Sequence, residues 1–189
     1  MNISPHVVTV GNLLFPLSRI LYKDGKPINL ASYTVKFAMV DDDGVSVVAE
    51  TATGVTAHPT TTFTADATTD RLTANGHPVS DGDEIIVSNS GGSLPGGLAA
   101  STRYFARDVS ANAMRLAAVP GGSAIDITSA GSGTHSLYVV GHVQYAFAAA
   151  DVDTAGVFWG WFVLLDGSSN KQHVPQEGRR LKIEIVAAS

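Results

Sequence analysis

Short apolar runs separated by turn residues form the dominant pattern along the chain. Apolar positions do not recur at the 3.6-residue period of a helix over three turns, so long helices are not expected. Alternation with period two recurs instead. In TVKFAMV it places Val35, Phe37 and Met39 on one face of a strand and Lys36 on the other. In LKIEIV it predicts that Leu181, Ile183 and Ile185 face inward and that Lys182 and Glu184 face outward. The pattern predicts an all-β fold.

Tight turns are predicted where Asp or Asn precedes Gly, because these residues tolerate the left-handed conformation that short hairpins require. Five such pairs occur: Asp24-Gly25, Asp43-Gly44, Asn75-Gly76, Asp81-Gly82 and Asp166-Gly167. Several of them lie about ten to twenty residues apart, which is the spacing of an all-β sandwich or barrel.

Strands are predicted between these turns. In the two ends of the chain they cover residues 13–22, 34–40, 45–50, 143–147, 157–165 and 181–186. In the middle they cover residues 71–73, 84–88, 102–109, 113–117 and 136–139. Residues 148–156 are expected to form a single helical turn that ends at Gly156.

The composition changes within the chain, beginning in the segment HPTTTFTADATTD. From about residue 59 to residue 140 the chain is richer in Gly, Ser and Thr. The change predicts two domains, of which the first is discontinuous and comprises residues 1–58 and 141–189. Residues 59–140 are predicted to form a second small β-domain inserted in a hairpin of the first.

The composition also excludes several classes of function. The chain has 189 residues, no cysteine, 12 basic residues and a net charge of -5. Thiolate metal sites are therefore excluded, and the few Lys and Arg residues argue against a nucleic-acid partner. No run of about 18 apolar residues and no secretory signal is recognisable, so a membrane is not an expected partner. The histidines lack metal-ligand spacing, no cofactor is expected, and His77 and His135 should bond to loop backbone.

The two ends of the chain together match a known sequence pattern. The segments FPLSRILYKDGKPINLASYTVKFAMVDDDG, HVQYAFAAADVDTAGVFWGWFVLLDG and VPQEGRRLKIEI resemble the immunoglobulin-like N-terminal domain of the baseplate upper protein family of tailed phages. The matching residues are Asp24, Gly25, Pro27, Leu30, Thr34, Val35, Phe37, Tyr145, Phe147, Ala150, Asp151, Ala155 and Gly156. This resemblance implies that residues 1–58 and 141–189 form an immunoglobulin-like β-sandwich.

The middle of the chain matches a second pattern. It resembles a small β-module that recurs in phage tail and baseplate proteins, with a long and rigidly spaced motif. The matching residues are Asp70, Thr73, Gly76, His77, Gly82, Asp83, Leu94, Pro95, Gly97, Leu98, Tyr104, Leu116, Ala117, Pro120, Gly121, Gly122, Ala124, Ile125, Gly131, Ser132, Gly133, Thr134 and His135. This resemblance implies that residues 59–140 are such a module.

The two resemblances imply a role in assembly. They suggest a non-enzymatic structural component of the tail, baseplate or neck of a tailed-phage virion, assembled in the bacterial host cytoplasm. Such a component would dock onto other virion proteins and form a symmetric homo-oligomer. Neither resemblance carries over a catalytic residue. Capsid decoration and a head fibre are alternative places for it in the particle.

The predicted strand at residues 157–165, VFWGWFVLL, departs from the family pattern, which has polar residues at its outward positions. Its two faces comprise Phe158, Gly160, Phe162 and Leu164, and Val157, Trp159, Trp161 and Val163. A sandwich sheet needs only one apolar face, because the other normally meets water. We therefore predict a protein–protein interface at the face that carries the two tryptophans. The alternative is that the inserted domain covers this face.

Two acidic clusters suggest chemistry but are interpreted as structural. The segment DDDG at residues 41–44 lacks the alternating ligands of a calcium loop, and it predicts a solvated hairpin tip. Asp81, Asp83 and Glu84 suggest the paired carboxylates of a glycosidase. Turn residues followed by the start of a strand explain this second cluster better.

A receptor- or carbohydrate-binding adhesion module is the main alternative function, with a host-surface glycan as its partner. It would require exposed aromatic residues on loops, and the predicted inserted domain offers Phe63, Tyr104, Phe105 and Tyr138. An enzyme would require a cluster of convergent polar residues, which the sequence does not show.

Overall fold

The computed structural model describes residues 5–174 and 180–188, and apart from two short 3-10 turns all their regular structure is β-strand. In chain order the strands are β1 (His6–Thr9), β2 (Leu17–Ile20), β3 (Tyr22–Lys23), β4 (Lys26–Pro27), β5 (Thr34–Asp41), β6 (Ser46–Thr51), β7 (Val55–Ala57), β8 (Thr61–Asp66), β9 (Arg71–Thr73), β10 (Glu84–Ser90), β11 (Arg103–Ser110), β12 (Ala113–Ala117), β13 (Thr134–Val139), β14 (His142–Tyr145), β15 (Gly156–Leu165), β16 (Lys171–Val174) and β17 (Leu181–Val186). The 3-10 turns are Leu30–Ser32 and Ala149–Asp151. The prediction of an all-β fold is confirmed.

The chain divides into two compact units. The first, here called the discontinuous unit, comprises Met1–Ala57 and Gly141–Ser189. The second, here called the barrel unit, comprises His58–Val140. Each boundary lies within one residue of the corresponding boundary in the sequence-based division.

Two main sheets make up the discontinuous unit. The larger has six strands in the order β1-β17-β15-β5-β6, with β16 pairing with the second half of β15. Its pairs are antiparallel except β1 with β17, which is parallel. The smaller sheet has the order β2-β14-β7, and β3 and β4 form a separate hairpin. The turn of that hairpin is Asp24-Gly25, and both residues have positive φ as predicted.

Both sheets contribute to one hydrophobic core. Phe37 of β5 is completely buried, and its ring centroid lies 4.1 Å from that of Tyr145 on β14 and 5.3 Å from that of Phe162 on β15. The alternating residues predicted to face inward, among them Val35, Met39, Leu181, Ile183 and Ile185, all belong to this core. The period-two alternation therefore identified the buried face of β5 and of β17 correctly.

A partly buried hydrogen bond links this core to the second 3-10 turn. The Tyr145 hydroxyl donates to the Asp151 carboxylate at 2.7 Å, and the same carboxylate oxygen accepts the backbone N–H of Ala148 at 2.8 Å. Burial and the neighbouring Asp151 raise the pKa of Tyr145 above its usual range. The tyrosine therefore stays a neutral donor that anchors the 3-10 turn at Ala149–Asp151 to the core.

The barrel unit is a closed barrel with the strand order β10-β11-β12-β9-β8-β13, in which β13 pairs back with β10. Closure leaves no free sheet edge within the barrel. Its interior is filled by buried side chains from all six strands, including Phe63, Leu72, Ile85, Met114 and Leu137. The barrel is therefore a packed core and not an open channel.

Three local predictions were wrong. Gly156 does not end a helical turn, because the 3-10 turn stops at Asp151 and Gly156 is the first residue of β15. Gly167 does not have the expected positive φ. Ser169 has it instead, since Asp166 accepts hydrogen bonds from the backbone N–H groups of Ser168 and Asn170 and folds the loop around its carboxylate.

The third error concerns the first predicted strand, at residues 13–22. The structure has a loop at residues 12–16, and β2 begins only at Leu17. Asn12 accepts the backbone N–H of Leu14, and Pro16 has no N–H to offer a neighbouring strand. These two residues make the segment a turn although its side chains are apolar.

His6 is expected to make the stability of the discontinuous unit pH-dependent. Burial and the charge of Arg19 lower the pKa of His6, against a smaller opposing effect of the backbone at Phe15. The folded state therefore prefers the neutral imidazole, so its contribution is complete above the ordinary pKa of about 6.5 and is lost as the pH falls through the lowered value. In denaturant titrations between pH 7 and pH 5, His6→Gln should lose less stability on acidification than the wild type. An equal loss in both proteins would contradict this assignment.

Candidate functional site

Strand β15 lies at the centre of the six-stranded sheet and carries the predicted interface. It pairs with β5 from Phe158 to Leu165, and on its other side it pairs first with β17 and then with β16. Its inner face, Phe158, Gly160, Phe162 and Leu164, is buried as the alternation predicted. Its outer face comprises Val157, Trp159, Trp161 and Val163, here called the outer strip.

Trp159 lies in the middle of the sheet and is half-buried. Its cross-strand neighbours are Val40 on β5 and Lys182 on β17. The indole Nε1–H donates to Asp42 Oδ1 at 2.9 Å. This hydrogen bond holds the edge of the ring against the tip of the β5–β6 hairpin and satisfies the only polar group of the indole.

Trp161 is also half-buried and is flanked by two basic side chains. The guanidinium carbon of Arg180 lies 4.9 Å from the centroid of its ring, within the range of a cation–π contact. The His173 ring, on β16, lies beside the same indole, with 6.4 Å between the ring centroids. Trp161 thus presents an aromatic surface that is already in contact with positive charge.

The two valines of the outer strip differ. Val163 is completely buried and lies between Lys36 on β5 and His173 on β16. Val157 is half-buried and lies opposite Glu184 on β17. The outer strip is therefore apolar along its length, but it is less exposed than the sequence suggested.

Charged pairs surround this apolar strip. Lys182 and Glu184 form an ion pair on β17 at 2.5 Å. At the other side Glu50 bridges Lys36 and Lys171, and the hydrogen bond from Lys171 is the main cause that lowers the pKa of Glu50. At the β1–β17 edge, Val7 and Val186 add exposed apolar surface, with 54% and 42% exposure.

A cleft opens beside Trp159 and has a volume of about 380 Å³. It is lined by Asp41, Asp42, Asp43, Gly44, Trp159 and Arg180, and is here called the Trp159 cleft. The segment DDDG lies at the tip of the β5–β6 hairpin, where Asp41 accepts the backbone N–H of Val45. Among the described residues, no group of three or more His, Asp or Glu side chains is placed to hold a metal ion.

One exposed apolar feature was missed by the sequence analysis. Leu13, Leu14 and Phe15 are 48%, 82% and 62% exposed in the loop that was predicted to be a strand. The available signal was Pro16, which follows three consecutive apolar residues and disfavours their inclusion in a sheet. Three adjacent exposed apolar side chains are unusual on a protein surface and provide further contact area.

The acidic residues at 81–84 serve the structure of the barrel unit. Asp81 accepts the backbone N–H of Val109, and Asp83 accepts that of Ser80. Glu84 begins β10 and pairs with Arg103 at 2.6 Å. The cluster therefore consists of turn residues and a strand start, as interpreted from the sequence.

The two histidines of the second motif bond to loop backbone as expected. His77 Nδ1 accepts the N–H of Val79 at 3.2 Å. His135 is buried, its Nε2 lies 3.1 Å from the carbonyl oxygen of Ala130, and its Nδ1 lies 2.7 Å from Asn89 Nδ2. Both rings therefore stabilise loops at the ends of the barrel.

Of the four aromatic residues proposed as a sugar-binding surface of the inserted domain, Phe105 on β11 is half-buried, and the other three pack against other residues of the barrel unit. Phe63 and Tyr104 are buried in the barrel, and the Tyr104 hydroxyl accepts the N–H of Ala99. Tyr138 stacks on His58, with 4.4 Å between the ring centroids. A groove of about 580 Å³ does lie on this unit, but its exposed lining consists mainly of Thr, Ser and Gly.

Comparison of the chain with protein-family models, with curated proteins and with solved structures finds no match in any of the three. Within the described residues, no helix is long and apolar enough to cross a membrane. The functional interpretation therefore depends on the surfaces described above.

Proposed function

We propose that the chain is a non-enzymatic structural component of a tailed-phage particle, which docks onto its neighbours through the partly exposed residues of the outer strip, Val157, Trp159 and Trp161. The resemblance of both parts of the sequence to phage tail and baseplate domains motivates the class. On this proposal the partners are other virion proteins and further copies of the chain, and the site of action is the virion. The discontinuous unit is then an immunoglobulin-like sandwich, which is supported by two sheets that share one core.

The observation that carries the proposal is the outer face of β15. Two half-buried tryptophans lie side by side on a sheet face, one of them under an arginine, and charged pairs surround them. Trp and Arg are the residues most often found at the centre of binding interfaces, where a polar rim excludes water around them. The same face in a free-standing sandwich would normally be polar.

The proposal predicts that Trp161→Ser weakens self-association at least about 30-fold, because central interface residues contribute about 2 kcal/mol or more. Sedimentation equilibrium of the full chain measures the association constant. Tyr22→Ser is the matched control, since it removes an aromatic ring that is 52% exposed on β3, outside the six-stranded sheet. It should leave the association constant within about twofold.

Two results would contradict the proposal. The first is a wild-type chain that stays monomeric and binds no co-expressed virion protein at any concentration tested. The second is a Trp161→Ser chain that assembles normally but has a lower melting temperature. That second result would show that the outer strip packs within the chain.

A further inference from the structure

We propose that the Trp159 cleft is a binding site for a neutral saccharide. The cleft is formed by the β5–β6 hairpin tip, the indole of Trp159 and the guanidinium of Arg180, and its volume is about 380 Å³. This size falls within the range of small-molecule sites, about 300–1,000 Å³. The proposal goes beyond the docking function, because it names a small ligand and a place outside the inserted domain.

An aromatic surface is the first requirement, and Trp159 provides it. A sugar ring presents a face of C–H groups that carry partial positive charge, and an indole face is negative. The Nε1–H bond to Asp42 fixes the orientation of the indole, so the ring is preorganised before a ligand arrives. Because the bond uses the edge of the ring, it does not occupy the face.

Acceptors and donors for hydroxyl groups are the second requirement. Asp42 gives one carboxylate oxygen to Trp159 and keeps the other, and the exposed Asp43 lies beside it in the cleft lining. Arg180 supplies donors, and its contact with Trp161 limits the positions that its long side chain can adopt. Hydrogen bonds that involve ionised groups are the stronger kind, which suits the recognition of hydroxyl groups in water.

The charges in the cleft argue against an anionic ligand. Three carboxylates, those of Asp41, Asp42 and Asp43, disfavour an anion. Arg180 in the same lining offsets one of these negative charges and adds hydrogen-bond donors. A polyhydroxyl compound is the ligand class that uses both the acceptors and the donors, because each hydroxyl group can donate and accept.

Titration of the full chain with a panel of neutral sugars tests the proposal. The panel contains glucose, galactose, rhamnose, N-acetylglucosamine and short oligomers of each. The readout is the indole N–H resonances of the two tryptophans in NMR spectra, assigned with a Trp161→Phe variant. We expect saturable binding of at least one sugar at millimolar concentration, with a shift of the Trp159 resonance.

Variants of the cleft make the test specific. Asp43→Ala and Arg180→Gln should each weaken the binding of that sugar about tenfold or more, as expected when a hydrogen bond to a charged group is lost. Asp153→Ala is the matched control, because it removes an exposed aspartate of the same unit that lies outside the cleft lining and accepts a hydrogen bond from its neighbour Thr154. It should leave the affinity unchanged.

Three results would overturn the proposal: no saturable binding of any sugar in the panel, binding that survives both cleft variants, or binding of N-acetyl-lysine amide in preference to every sugar. The docking function is tested separately, with Trp161→Ser and self-association. Asp43→Ala keeps the two tests distinguishable, because Asp43 lines the cleft but lies outside the outer strip, so this variant should lose sugar binding while it retains assembly.

Discussion

Replacing Phe37 by alanine should lower the free energy of unfolding of the discontinuous unit by about 3–5 kcal/mol. Phe37 is completely buried at the point where the six-stranded and three-stranded sheets meet. Its ring stacks on Tyr145, with 4.1 Å between centroids, and contacts Phe162 and Phe147 at 5.3 and 6.5 Å. Removal of the ring loses this apolar burial and leaves a cavity that rigid neighbouring rings cannot fill.

Denaturant titration followed by tryptophan fluorescence reports on the unfolding of the discontinuous unit, because both tryptophans lie on β15. Phe15→Ala is the matched control, since it makes the same chemical change at a side chain that is 62% exposed. It should change the free energy of unfolding by less than about 0.5 kcal/mol. Similar losses in the two variants would show that Phe37 does not hold the two sheets together.

The sequence was most informative where large apolar residues alternate along a strand. In β5 and β17 every second residue is apolar, so the alternation identified both the strand and its inner face. The same argument assigned the inner face of β15 correctly, although that strand is apolar on both sides. Residues at every second position of a strand share a face, so the sequence of the strand alone shows which of its residues lie together.

The pairing of strands that are far apart in sequence could not be predicted from the alternation of apolar residues. The closed barrel requires β13 to pair with both β8 and β10, and β1 joins the sheet through a parallel pair with β17 near the other end of the chain. Such contacts depend on which surfaces meet in three dimensions and leave no periodic signal. Short strands such as β1, β8 and β16 were missed for this reason, because their burial comes from partners far away in sequence.

The candidate site was predictable only in part. The outer strip follows from the alternation of β15, but the hydrogen bond from Trp159 to Asp42 joins residues 117 positions apart. The contact of Arg180 with Trp161 likewise depends on the pairing of β17 with β15. These contacts turn a strip of apolar residues into a surface with an adjoining cleft, and only the folded sheet brings them together.

Gly160 allows Phe37 and Ile183 to pack closely against the inner face of β15. It is buried on the inner face of β15, where an added Cβ atom would lie 2.8 Å from Cζ and 2.9 Å from Cε2 of Phe37, and 3.0 Å from Cδ1 of Ile183. Gly160→Ala should therefore destabilise the unit by about 1–3 kcal/mol, since overpacking displaces a ring that has no free space around it. This cost exceeds the gain of about 0.4–1 kcal/mol that alanine brings by restricting the unfolded chain.

Two further variants separate overpacking from a general effect of alanine. Gly167→Ala places a Cβ atom where nothing lies within 4 Å, so it should leave stability unchanged or raise it slightly. The double variant Gly160→Ala/Phe37→Leu should lose less than the sum of its two single variants, because the shorter side chain makes room for the new methyl group. Strict additivity in this double-mutant cycle would show that Gly160 is not needed for the close approach of Phe37.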